Sequence, residues 1–236
     1  MNREDYEGYL LSGTPIPIRD LILKPLSLRW IVLNEKRYQE VLGAIFFDVN
    51  KLDLSQTPEL QQLDKFSLFS LLVAQDNEIR ERVIQGLLWF LGRQFEVVEA
   101  KIVSEDLVLD EDLWKQLKTV IAWQNKIEYD PSEEPEYNPA NHKALELQRK
   151  LEENKRQVAE IKKRKNQDPG LCDLVSGLSS KHPSINLLNV WDLTYYQFVD
   201  QLSRLQIVEA YEFALSSLLA GADSKKLTIT HWTTKI

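Results

Sequence analysis

Between residues 128 and 138 the chain carries five acids (Glu128, Asp130, Glu133, Glu134 and Glu136) and two prolines, with no Lys or Arg. Such a stretch repels itself, has little to bury and breaks regular hydrogen bonding at each proline. It reads as an exposed linker and divides the chain into a section over 1–127 and another beyond 138. Asn138-Pro139 then supplies a side-chain cap followed by proline in the first turn, a helix start. The helix it opens is heavily charged and extends to about Asn166.

Along that helix Ala140, Ala144, Leu147, Leu151, Asn154, Val158 and Ile161 follow the alternating 4,3 spacing of a coiled-coil seam. Two readings stand side by side: an amphipathic helix packed on its own chain, or a homo-oligomer joined through the 140–161 seam. Its end, Lys162-Lys163-Arg164-Lys165, complements the helix dipole. Across the chain, Lys+Arg 29 against Asp+Glu 36 leave a net charge of −7, which opposes nucleic-acid binding.

The first section mixes both periodicities. Leu21 to Leu33 is rich in β-formers and partly alternating, with Pro25 restricting it to an edge strand or two short strands. Asn34 is placed to cap a helix with Tyr38, Val41, Leu42, Ile45 and Phe46 on one face. Thr57-Pro58-Glu59 predicts a helix to Ala74, and a break at Gln75-Asp76-Asn77 restarts another. Phe95 to Val103 reads as a strand, with a short one at Leu107–Leu109. Asp110 then caps a helix whose inner stripe is Leu113, Trp114, Leu117, Val120, Ile121 and Gln124.

Beyond the charged helix, Asp168-Pro169-Gly170 is a stop, and Leu171, Leu174, Val175 and Leu178 mark a short helix. Thr194-Tyr195-Tyr196-Gln197 has the form of a capping box. The helix it opens runs to about Leu219, with Tyr195, Phe198, Leu202, Leu205 and Val208 on its apolar face and Gly221 as C-terminal cap. Lys226 to Trp232 alternates as a tail strand or an extended docking segment. The fold class is α+β and predominantly α-helical: a small N-terminal β element with helices, a long charged helix and a helical C-terminal section. The units are 1–127, 128–138, 139–166 and 171–236.

Chemistry is scarce. The chain has one cysteine, Cys172, and three histidines, His142, His182 and His231, none paired at helical spacing. Glu105, Asp106, Asp110, Glu111 and Asp112 form a dense acidic group, but acids in a first helical turn are stabilised by the dipole alone. No glycine-rich phosphate loop or nucleophile elbow is present. No enzyme, cofactor or metal is expected. The N-terminus lacks the apolar core of a secretory signal, and Val83–Leu91 falls short of the roughly 20 apolar residues of a membrane span. Aromatics instead gather toward the C-terminus: Trp191, Tyr195, Tyr196, Phe198, Tyr211, Phe213 and Trp232.

The stretch Ile185 to Phe198, which includes Asn189-Val190-Trp191-Asp192-Leu193-Thr194-Tyr195-Tyr196, resembles a segment of proteins from tail-morphogenesis modules of phages and prophages of Gram-positive hosts. Asp200-Gln201, Arg204-Leu205, Leu219 to Asp223 and His231-Trp232 continue the likeness, as does Glu136 to Asn141 upstream. It covers about 110–236 well and the first half weakly. The general pattern is that of tail assembly chaperones. The resemblance implies a non-enzymatic viral protein in the host cell cytoplasm that binds the tape measure protein, with a structural tail tube or baseplate subunit retained in the virion as the alternative. Trp191, Tyr195, Tyr196, Phe198, Arg204, Tyr211 and Trp232 are the partner-binding residues it suggests.

Overall fold

The computed structural model describes residues 1–52, 57, 60–105, 107–129, 169–223, 227 and 229–234. The charged helix, its 140–161 seam and all but the first two residues of the acidic linker lie outside them.

The architecture is α+β and predominantly helical. The chain opens with α1 (Glu7–Ser12) and a hairpin of β1 (Ile16–Ile18) and β2 (Leu21–Leu23), paired antiparallel with Ile16 opposite Leu23. Each strand buries its first and third residues and exposes its middle one, the period of two a one-sided sheet requires. Next come α2 (Leu28–Leu33) and α3 (Glu35–Ile45). The β-forming residues from Leu28 to Leu33 are thus helical, against the sequence expectation. Ser27 decides it, accepting a hydrogen bond from the amide of Trp30, so a cap overrides weak strand propensity. Asn34 stands between the two helices as expected. Its side chain serves the end of α2, however, donating to the carbonyl of Trp30 at 2.8 Å, and makes no cap bond to α3.

The helix expected from Thr57 begins later, as α4 (Lys65–Gln75), because Asp64 is the residue whose carboxylate caps the Ser67 amide. Asp76 in turn caps α5 (Asn77–Leu91), accepting from the amides of Glu78 and Ile79. α5 lies closely against α3 at Gly86. A Cβ there would stand 2.7 Å from Val41 Cγ1 and 2.8 Å from Ile45 Cδ1, a spacing only glycine permits. The single strand expected from Phe95 to Val103 is a hairpin, β3 (Glu96–Val98) with β4 (Lys101–Ser104), and β5 (Leu107–Val108) joins it as a third strand. Glu99 and Ala100 turn the chain with φ of 50° and 58°, the left-handed geometry of a tight hairpin, without the glycine or asparagine that would announce it. Then α6 (Glu111–Gln124) starts at the Asp110 cap, and all six residues of its expected stripe are buried.

The C-terminal section contributes α7 (Leu171–Lys181) and α8 (Tyr195–Leu219). Both of the expected capping-box bonds form at the start of α8: the Gln197 amide donates to Thr194 Oγ1 at 3.2 Å, and the Thr194 amide donates to Gln197 Oε1 at 2.9 Å. Gly221 follows the helix with φ 90°, and its amide donates to the Leu218 carbonyl. No strand forms among the described residues of the tail.

Two apolar clusters hold these elements. The larger joins α1, both sheets and α3 to α6. The smaller packs Leu28 of α2 with Val175, Leu178, Val190 and Phe198. α8 is wedged between them, with Tyr196 in the first and Phe198 in the second. The backbone seals the joint: the Leu28 amide donates to the Leu193 carbonyl at 2.7 Å, and Ser27 and Thr194 form an isolated antiparallel bridge. The sections before and after the linker therefore pack together.

Candidate functional site

The seven residues suggested for partner binding divide by position along α8. Near its start, Tyr196 is 2% and Phe198 1% exposed. The Tyr196 ring has the Lys126 ammonium 4.1 Å from its centre, and its hydroxyl accepts from Arg3 Nη2 at 3.2 Å. These are intramolecular anchors whose side chains no partner reaches in this conformation. Trp191 and Tyr195 are half-buried against the smaller cluster, and burial pushes the Tyr195 phenol above its ordinary value.

Further along, the helix is held at its side. Lys181 of α7 pairs with Glu209. Arg204 Nη1 donates to the carbonyls of Trp232 and Thr234, at 2.7 and 2.8 Å. Tyr211 packs edge-on to His231, whose ring lies 5.4 Å from that of Trp232. Arg204, Tyr211 and Trp232 thus meet as one patch, where the extended tail is strapped across the helix. Trp232 is 48% exposed beside it.

Past this strap most of the helix surface is open. Phe213 is 72% and Leu219 91% exposed, Leu215 is exposed as well, and Ala214 is the sole buried residue beyond Asp200 among the described residues of α8. From Phe213 to Ala222 there is no charged side chain. Large apolar groups in a continuous uncharged stretch of surface mark an interaction site. Phe213, Leu215 and Leu219 were absent from the expected binding set. Their signal was present, because Phe213, Leu215, Leu218 and Leu219 spread around the end of α8, wider than the single apolar face a packed helix uses.

The acidic group serves structure. Asp110 accepts from the Leu113 amide at 2.6 Å and from Arg19 at 2.8 Å. The Leu113 amide above all, helped by the Arg19 guanidinium, holds its carboxyl below the usual range against the opposing effect of desolvation. Glu111 pairs with Lys115, Asp112 with Arg19 and Glu105 with Arg93; Asp106 lies outside the described residues. Among the described residues no group of three His, Cys, Asp or Glu stands together as a metal site, and no helix is long and apolar enough to cross a membrane.

A cavity of about 260 Å³ opens between α4 and α6, with Phe46, Phe66, Phe69, Trp114, Lys118 and Tyr129 in its wall. Phe69 and Trp114 stack at 4.9 Å, and the Lys118 ammonium lies 4.6 Å from the centre of the Tyr129 ring. Asp48, Glu111 and Glu128 stand in the same wall with Lys65 and Lys115, so the cavity combines aromatic surface with charged side chains of both signs.

With this geometry in place, the comparisons fall on the C-terminal section. The family model described as the YomV second domain matches residues 162–236, which hold α7, α8, the strap and the exposed helix end. That family is phage-derived and Bacillus prophage-like, and the similarity supports a phage protein. No curated protein and no solved structure matches the chain.

Proposed function

We propose that the chain is a non-enzymatic phage tail assembly chaperone that binds the tape measure protein in the host cytoplasm. The observation that carries this reading is the uncharged end of α8, Phe213 to Ala222, where Phe213, Leu215 and Leu219 are exposed, inside the segment similar to a phage family. A long client helix with an apolar stripe meets such a surface by helix-to-groove packing. The strap residues Arg204, Tyr211 and Trp232 flank it and set its limit. Tyr196 and Phe198 contribute by holding α8 in place.

Co-expression with the tape measure protein tests the proposal. The wild-type chain keeps the client soluble and co-purifies with it, while Phe213→Ser with Leu219→Ser loses both effects and remains folded. Capture undiminished in that double variant overturns the surface assignment. A wild-type chain that captures nothing, yet appears at stoichiometric level in purified particles by mass spectrometry, makes it a tail or baseplate subunit instead.

A further inference from the structure

At the joint between the first section and α8 lies a small space of about 10 Å³, where Tyr38, Gln124, Asn125, Thr194 and Tyr195 meet among the apolar side chains of Pro25, Leu26, Ile31 and Phe90. Gln124 is 6% exposed, and neither its Nε2 nor its Oε1 has a hydrogen-bonding partner among the described residues. Two orphaned polar atoms on one core side chain are among the more costly faults a core can carry, and an apolar residue of the same length would avoid them. The groups around the space retain bonding capacity. The Tyr38 hydroxyl donates to Asn125 Oδ1, which leaves its oxygen able to accept. Burial holds that phenol firmly in its protonated form. Thr194 Oγ1 accepts from the Gln197 amide, and its own proton can still be donated.

We infer that this space binds one ordered water molecule, which satisfies Gln124 and bridges α6 to the start of α8. The size fits, since roughly 10–15 Å³ of such space holds a single water. The chemistry selects it too. The lining presents the Gln124 amide donor together with amide and phenol acceptors, so a bare cation would face an N–H and an anion would face carbonyl and phenol oxygens. A neutral molecule that both donates and accepts meets every polar group of the lining and brings no charge against its apolar residues. The water would make the joint between the sections a polar contact set within apolar packing.

Oxygen-17 magnetic relaxation dispersion on the full-length chain counts water molecules with long residence. Wild type is expected to exceed Gln124→Met by one such water. In the isotopically labelled wild type, the Gln124 side-chain amide protons should also show a nuclear Overhauser contact to a slowly exchanging water. The second reading needs no variant and stands if the substitution impairs folding. An amide without that contact, or a Gln124→Met protein with an unchanged count, overturns the site.

Discussion

The two ends of α8 are built from the same kinds of residue and meet opposite fates. Tyr196 and Phe198 at its start are sealed in two separate clusters, whereas Phe213 and Leu219 near its end lie open. Hydropathy does not distinguish the ends; neighbours do. The start is enclosed by α1, α2, α6 and α7, and the strap held by Arg204 and Tyr211 crosses the helix before its exposed end. A helix can therefore be foundation at one end and open surface at the other, and the same substitution should read differently at each.

The largest difference is expected from Phe198→Ala, which should cost about 3–5 kcal/mol in urea denaturation, the usual range for a buried Phe. A loss no greater than at an exposed site would erase the contrast between the ends. Thr194→Ala should cost about 1 kcal/mol by removing one bond of the capping box, with faster amide exchange at Gln197 as its local sign. Phe213→Ser should change stability by less than about 0.5 kcal/mol, as surface substitutions do; a larger loss would show that the far end is packed after all. The smallest effect separates α8 from other helices by acid. The Ser67 hydroxyl holds the Asp64 carboxyl below its ordinary value of 3.8, and Asp110 is also lowered. A depressed carboxyl contributes stability above its unfolded value, which is lost as pH falls through the folded one. Below about pH 3.8, amide exchange in the first turns of α4 and α6 should quicken, while the Thr194 cap of α8, having no charge, should hold.

Much of this was legible where local chemistry and tertiary packing agree. The Asp110 cap and its stripe through Gln124, the Thr194–Gln197 box and the end of α8 near Gly221 follow from spacing alone. Where they disagree, tertiary context wins. Leu28 to Leu33 are strand formers held as a helix by Ser27, and Glu99-Ala100 makes a tight turn with residues that carry no turn signal. Tyr196 falls outside the expected apolar face of its helix, Tyr195, Phe198, Leu202, Leu205 and Val208. It is buried because the first section offers a second core on that side. The partner-binding set drawn from aromatic density includes Tyr196 and Phe198 at the anchored start of α8, whereas the exposed Phe213, Leu215 and Leu219 near its end lie outside that set.

The paired caps Ser27 and Thr194 have a consequence for how the chain folds. Each starts a helix, and each is bridged to the other across more than a hundred residues of sequence. Closing so long a loop carries an entropic penalty before any contact rewards it, and non-local contacts of this sort slow folding. The start of α8 is therefore expected to lock late, after the first section has formed, so a nascent chain would pass through a stage in which the longest helix among the described residues is still unplaced.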